Sequence, residues 1–397
     1  MNTIFANYLQ RIREGRTELL VPKASLEEKV PPHYPAFFNP LAKLNRDISI
    51  YLYKAFLIEK EYSEEITFAD ALAGIGSRGL RVAVEIPRVS QIFINDINES
   101  AISISRETAA LNSITEKCIF STMDVCEFLI SHNSNPTNKR FSIIDLDPFG
   151  SPAPFIDCIL RSIQNEGLIS ITATDTAVLS GKYQKTCLRK YYGVSLNTVY
   201  SNETAIRLLL SSIALTAARL GISISPIFVH SNRHYLRVYI KVFFSKTLSN
   251  KIFSNIGLIE HCFKCRNRQT ITSLTSSNLC KICDSKTNIA GQLWIGNFYD
   301  KKLISLITQH FVEDRSEKGQ LKQIHKIFTT CLDELDDIPY YFSIDEISSI
   351  LKTTPMKLSH IIEKLSLSGF RASKTSLNPA GFKTNASIVD ILSIINN

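Results

Sequence analysis

Apolar positions along the chain fall into two alternating patterns. Short, mostly apolar runs at 91–95, 119–122, 141–146 and 168–172 read as strands buried on both faces, and 67–81 as a strand-to-helix turn. Between them, 46–59, 78–84, 99–111, 126–131, 155–164 and 203–220 carry apolar residues near helical spacing. Two further strands, 222–230 and 235–244, follow, while 182–190 reads as a basic loop. Strands alternating with helices predict a doubly wound, mostly parallel sheet with antiparallel closing strands. Ahead of it, 11–22 reads as a hairpin, and the Pro- and Asn-rich stretch 35–45 as an ordered loop.

Past Phe244 the pattern changes. Residues 235–244, 247–257 and 258–262 read as a β-α-β unit, a strand packs around Trp294, and helices are expected at 300–312 and 319–335. From Ser343 two helical runs and the segment 369–373 read as a helix-turn-helix with a wing. The domain reading is therefore 1–244, an N-terminal extension with a Rossmann-like α/β domain, and 245–397, an α+β domain with a winged-helix-like end.

Composition narrows the class without changing that picture. At 397 residues, 44% hydrophobic and 21% charged, the chain has ample material for a core of ordinary globular type. The most apolar stretch, 208–229, is broken by Arg219, Gly221 and Pro226, so no membrane span is expected. No secretory leader is expected, since the first ten residues lack a basic start and an apolar core. A net charge of +8 permits an anionic partner such as nucleic acid.

Nine cysteines divide into two groups. Cys118, Cys126, Cys158, Cys187 and Cys331 are scattered in apolar surroundings and read as buried thiols. Cys262, Cys265, Cys280 and Cys283 form two C-x-x-C pairs, the spacing of a four-thiolate structural Zn²⁺ site. Together these argue for a reducing cytoplasm with one metal site.

The candidate chemistry lies at two strand ends. Gly74, Gly76 and Gly79 satisfy G-x-G-x-x-G between a strand and a helix, and Asp96 ends the next strand, placed for a ribose hydroxyl pair. An NAD enzyme would share that turn. Asp70, four residues before Gly74, gives instead the D-x-x-x-G-x-G form of S-adenosylmethionine enzymes, where the acid orients the methionine part. Asp124 is placed either to accept an adenine amine or to cap the following helix. The run 141–146 ends in Asp147-Pro148-Phe149-Gly150, a carboxylate, a rigid turn and an aromatic ring where open α/β sheets bind ligands. Asp147 and the Pro148 carbonyl can accept hydrogens from an exocyclic amine while Phe149 stacks on a planar base.

The chain resembles the archaeal tRNA guanosine-26 N2-dimethyltransferases over nearly its whole length. The residues that carry the resemblance are Glu14-Gly15, Phe37 to Pro40, Leu44 to Asp47, Asp70 to Gly79, Asp145 to Pro152, Thr172 to Ala177, His234 to Val238, the four clustered cysteines and Lys383-Thr384. The resemblance implies a class I S-adenosylmethionine-dependent methyltransferase domain followed by a zinc-bearing tRNA-binding domain. It implies S-adenosylmethionine contacts from Arg46, Arg78, Asp96, Asp124 and Val125, a catalytic acceptor at Asp147, and a guanine held between Phe37 and Phe149. tRNA is the implied partner; no protein partner is implied, and a monomer is expected. Ser376 and Asn385 stand where the family has His and Asp, and Arg233 where a neutral or acidic residue is commoner; these bear on tRNA contact, not on the chemistry.

Other readings fit less of the sequence. A DNA adenine-N6 or protein glutamine methyltransferase could use the same acid-Pro-aromatic motif but leaves the cysteine pairs and the tail unexplained. A non-catalytic tRNA-binding protein would be expected to lack Asp147 or Arg78. A purely structural zinc protein leaves the glycine turn without a purpose, and an NAD oxidoreductase lacks a hydride-transfer site.

Overall fold

The computed structural model describes residues 8–58, 60, 65–134, 139–232, 235–272, 278–310 and 320–396. Arg233, His234, Glu59, residues 273–277 between the cysteine pairs, and the expected helix ends at Val312 and Gly319 lie outside the described residues.

The N-terminal hairpin forms as expected, β1 (Leu9–Glu14) against β2 (Thr17–Pro22). The alternating pattern gives β3 (Thr67–Asp70), β4 (Gln91–Asn95), β5 (Cys118–Ser121), β6 (Phe141–Leu146) and β7 (Ile163–Ala173), all pairing in parallel. Helices Ser77–Glu85, Glu99–Leu111, Val125–Ser134 and Ile156–Ser162 connect them. β8 (Ile222–Asn232) and β9 (Tyr235–Phe244) pair antiparallel, and the seven-stranded sheet has the order β5-β4-β3-β6-β7-β9-β8. The strand order reverses between β3 and β6, so their carboxyl ends form the switch point where such sheets bind ligands. Asp70 ends β3, and Asp147 follows β6 directly.

Two compact units divide the chain. One comprises Met1–Pro148, Pro154–Ile171 and Gln309–Ile324; the other comprises Phe149–Ala153, Thr172–Thr308 and His325–Asn397. In the first, Phe68, Ile92, Ile94, Phe141, Ile143, Ile144 and Leu146 are all fully buried, which is why these strands carry no polar alternation. A second core of Leu19, Val21, Ala36, Phe38, Ile75, Ala101 and Ile104 holds the hairpin and the Phe37-Phe38 loop against helix Glu99–Leu111.

In the second unit the long helix Ser201–Arg219 forms where expected. β10 (Ile256–His261), β11 (Arg268–Ile271) and β12 (Asn288–Trp294) make a separate antiparallel sheet in the order β11-β10-β12. The expected β-α-β unit therefore does not form. Its connecting helix, Lys246–Lys251, has six residues, too short for a parallel crossover, which takes roughly a dozen or more residues. The expected basic loop is also a helix, Gln184–Tyr191, whose buried Cys187 and Tyr191 anchor one face while Lys185 and Arg189 face solvent.

The two helical runs expected after Ser343 form. Helices Ile344–Leu351 and Leu358–Leu367 pack with β13 (Phe342–Ser343), β14 (Ala372–Thr375) and β15 (Asn378–Thr384) around Phe342, Ile347, Ile361, Leu365 and Phe382. A closing helix, Ile388–Asn396, adds Ile388 and Ile391 to that core. Lys383 on β15 is fully buried, with Nζ 2.9 Å from Glu203 and 3.1 Å from Glu334. Among the described residues no helix is long and apolar enough to cross a membrane.

Candidate active site

The glycine turn closes β3 in the form its spacing predicts. Gly74 and Gly76 have φ of +54° and +71°, the left-handed region open to glycine at little cost. A Cβ on Gly76 would lie 2.8 Å from Ser105 Oγ, so close packing of the turn also excludes a side chain there. Gly74 N–H donates to Asp96 Oδ2 at 2.7 Å and Asn98 N–H to Oδ1 at 2.9 Å. The acid at the end of β4 is thereby oriented by two backbone amides before any ligand arrives. Ile97 beside it is 73% exposed, an apolar surface at a strand end that the sequence reading passed over.

Arg78, in the first turn of helix Ser77–Glu85, is 5% exposed and gathers the acids of the switch point. Its Nη2 donates to Asp147 Oδ2 at 2.7 Å, and its Nε lies 3.2 Å from Asp145 Oδ1. Nη1 donates to Ser49 Oγ at 2.6 Å and to Asn45 Oδ1 at 3.3 Å. Asp70, 2% exposed, accepts Gly79 N–H at 2.8 Å. Burial and then neighbouring Asp145, its register partner across β3 and β6, push the Asp70 carboxyl up to about 7 against the opposing pull of Arg78. Asp145 belongs to the quoted motif but carried no assigned role. Its signal was a carboxylate inside an otherwise apolar strand, a placement that requires partners.

Arg46 sits apart from that cluster. Its Nε and Nη2 donate to Glu14 at 2.8 and 2.6 Å, and both Nη atoms reach the Asn39 carbonyl. Arg81 joins the same buried group, 2.5 Å from Asp47 and 2.7 Å from Glu85. Burial pushes the Glu14 carboxyl up, but Arg46 and Arg81 outweigh it and hold it below the usual carboxylate range. The two phenylalanines separate. Phe38 is 2% exposed under the Arg46 guanidinium, whereas Phe37 is half-buried and stacked on His33.

Asp124 is exposed, and its Oδ1 accepts from the Cys126 and Glu127 amides at 2.9 and 3.4 Å, capping helix Val125–Ser134; Val125 is buried. Pro148 is buried at the edge of the first unit. In the second unit Phe149 is 65% exposed, and Gly150 N–H donates to Thr174 Oγ1 at 2.6 Å.

The four clustered cysteines converge, all Sγ atoms within 4.8 Å of one another. Cys262 to Cys283 is 3.6 Å and Cys265 to Cys280 is 3.4 Å. A tetrahedral ion with bonds of about 2.3 Å needs sulfurs about 3.8 Å apart, so the set fits a metal. Each pair turns alike: Arg266 N–H donates to Cys262 O and Asp284 N–H to Cys280 O, both at 2.9 Å.

The scattered cysteines need one correction. Cys126 and Cys158 are joined in a disulfide, while Cys118, Cys187 and Cys331 are buried thiols as expected. The two partners stand 32 residues apart on the helices following β5 and β6, whose mutual packing no local pattern reports.

The chain is similar to known proteins over nearly its whole length. The family model described as N2,N2-dimethylguanosine tRNA methyltransferase matches residues 15–396. A tRNA (guanine(26)-N(2))-dimethyltransferase of Methanothermobacter thermautotrophicus is 34% identical over 385 residues, covering 97% of this chain and 98% of that protein. One from Methanobrevibacter smithii is 35% identical over 390 residues, covering 98% and 97%. A tRNA (guanine(26)-N(2)/guanine(27)-N(2))-dimethyltransferase of Aquifex aeolicus is 31% identical over 390 residues, covering 97% and 95%. Among solved structures, the complex of Trm1 from Pyrococcus horikoshii with S-adenosyl-L-methionine aligns with a TM-score of 0.83 at 29% identity, covering 97% of this chain and 99% of that one.

Proposed function

The chain belongs to the N2,N2-dimethylguanosine tRNA methyltransferase family, and we propose that Asp147 is the residue on which its chemistry turns. The reaction is S-adenosylmethionine-dependent N2,N2-dimethylation of guanine 26 in tRNA. The observation that carries the assignment is the pairing of Asp147 with Arg78 at the switch point, beside a glycine turn already oriented by Asp96.

S-adenosylmethionine supplies an electrophilic sulfonium methyl when bound. In our reading Asp96 takes the ribose hydroxyls, Asp124 and the Val125 backbone the adenine amine, and Ile97 one purine face. Arg78 and Arg46 supply positive charge to the carboxylate end, with Asp70, Gly74 and Gly76 shaping the turn around the methionine part. The guanine N2 lone pair is delocalised into the ring and is a poor nucleophile. Asp147 would accept an N2–H hydrogen bond and the Pro148 carbonyl a second; as the methyl passes from sulfur to N2, breaking the S–C bond and releasing the neutral thioether, the carboxylate would offset the positive charge developing on N2 and take the proton N2 loses. Phe149, the residue after Pro148, would stack on the base, which must leave the folded tRNA to reach it; Phe37 is a second ring that the family resemblance offers for stacking.

We assign methyl transfer to 1–244 and tRNA binding to 245–397, where the cysteine set would hold a structural Zn²⁺ and basic surfaces would meet phosphates. One chain carries every residue in this scheme, consistent with a monomer.

The test is methyl transfer to unmodified transcripts bearing guanosine or adenosine at position 26, with nucleoside mass spectrometry of the products. N2-methylated guanosine should form only on the guanosine transcript, and Asp147→Ala should lower the rate by about 10²-fold or more. Undiminished transfer by Asp147→Ala would remove Asp147 from the mechanism.

A further inference from the structure

We propose that Tyr53, Asp145 and Ser170 are positioning residues that set the orientation of Asp147 through Arg78; the proposal rests on Asp147 being the acceptor of the guanine amine.

Three elements of the first unit bring these side chains together. Tyr53 comes from helix Lys43–Ile58, Asp145 from the carboxyl end of β6, and Ser170 from β7, where it is the register partner of Asp145. Tyr53, Asp145 and Ser170 are each 0% exposed. The Tyr53 hydroxyl donates to Asp145 Oδ2, and Ser170 Oγ donates to the same oxygen at 2.8 Å. Tyr53 and Ser170 are themselves 2.6 Å apart, and the Tyr53 ring is held edge-on against Phe68. The other carboxylate oxygen, Oδ1, lies 3.2 Å from Arg78 Nε.

A carboxylate in a central strand is costly where Ile143, Ile144 and Leu146 show that an apolar residue would pack. What the polar set achieves is the aim of one guanidinium. That group is planar, so the Asp145 charge 3.2 Å from Nε and the bonds from Nη1 to Ser49 and Asn45 together aim Nη2 toward Asp147 Oδ2 at 2.7 Å. Asp147 has left the sheet, and its side chain is 35% exposed. Arg78 is thus its tie to the rigid strands behind it.

The two methyl transfers depend on this tie unequally. The unmodified amine has two hydrogens, and a loosened carboxylate can engage either. After the first transfer only one N–H remains, and it must be presented in a single orientation. Loss of positioning should therefore slow the second transfer more than the first. A purely structural role would reduce the amount of competent enzyme and slow both alike.

The experiment follows N2-methyl- and N2,N2-dimethylguanosine over time, with enzyme in excess over the guanosine-26 transcript. Tyr53→Phe and Ser170→Ala should each slow the second transfer by about tenfold and the first by less, so that monomethylguanosine accumulates. Calorimetry establishes that each variant still binds S-adenosylmethionine, and both transfers are compared at saturating S-adenosylmethionine, so that any change of affinity through Arg78 does not enter the ratio of the two rates. Ser170→Thr, which keeps the hydroxyl, should restore the dimethylated product. Equal slowing of both transfers, or no slowing, in protein that binds S-adenosylmethionine overturns the proposal, and Ser170→Ala decides it should Tyr53→Phe not fold. Asp147→Ala run alongside separates the two failures. If it keeps full activity, the role of Asp147 falls; if it is inactive while the other variants match the parent, only the positioning role falls.

Discussion

Asp70 shows what a sheet does to a single side chain. In sequence it is an acid ahead of a glycine turn; in the structure it lies beside Asp145 in a site closed to water. Burial and that neighbour raise its carboxyl from 3.8 to about 7, so the folded chain holds the proton more tightly than the unfolded chain does. The stability this confers is present below 3.8 and is lost as pH rises through about 7. Asp70→Asn keeps an oxygen for Gly79 N–H and removes the titration. It should flatten the fall of urea stability between pH 5 and pH 8, a difference on the order of 3 kcal/mol. Urea midpoints at the two pH values check this, and an unchanged slope would assign the dependence to another group. No reading of residue types could place two carboxylates in register across separate strands. Sequence identified the acids but not their coupling.

At the scale of elements, local chemistry was the better guide. Helix Glu99–Leu111 starts and stops where its apolar spacing indicated, because Asn98 caps it by accepting from the Ser100 and Ala101 amides. β4, β6 and β9 likewise match their apolar runs end for end. Asn98 also donates to the Pro35 carbonyl at 2.9 Å, tying the cap to the loop that carries Phe37. Asn98→Ala should lower stability by about 1–2 kcal/mol, the cap and one tertiary hydrogen bond together, measurable by chemical denaturation. Asn98→Asp, which keeps the cap and loses the donor, should recover roughly half of that. The segment around Cys187 was misread for the converse reason. Its helix has weak local signals and depends on burial of Cys187 and Tyr191.

At the scale of the molecule, covalent and metal links join segments distant in sequence. Nine cysteines less the two of the Cys126–Cys158 disulfide leave seven thiols. Protein prepared without reductant, then denatured with a chelator, should titrate at seven thiols, and at nine after reduction. Nine before reduction would show the link absent in solution. Elemental analysis of the native protein should give one zinc per chain, and Cys265→Ser should reduce it while leaving S-adenosylmethionine affinity unchanged, since the ligand residues we propose lie in the other unit. The C-x-x-C pairs were legible because metal ligation imposes short, fixed spacings. The disulfide was not, because its spacing follows only from how two helices pack.

The sequence by itself determined the alternation of strands and helices, the glycine turn, the Asp147-Pro148-Phe149 motif and the cysteine knuckles. Each is a local requirement: a backbone angle only glycine adopts cheaply, a ladder ended by proline, or two thiolates on one turn. Tertiary structure alone decided which charges meet. It set Glu14 on Arg46 and placed Arg78 between Asp145 and Asp147, with Tyr53 and Ser170 behind Asp145. Those partners lie from 25 to 92 residues apart where the hydroxyls reach Asp145, and 69 apart where Arg78 reaches Asp147. The reason is physical: electrostatics and desolvation act through space, and chain order carries no record of that distance until the sheet has closed.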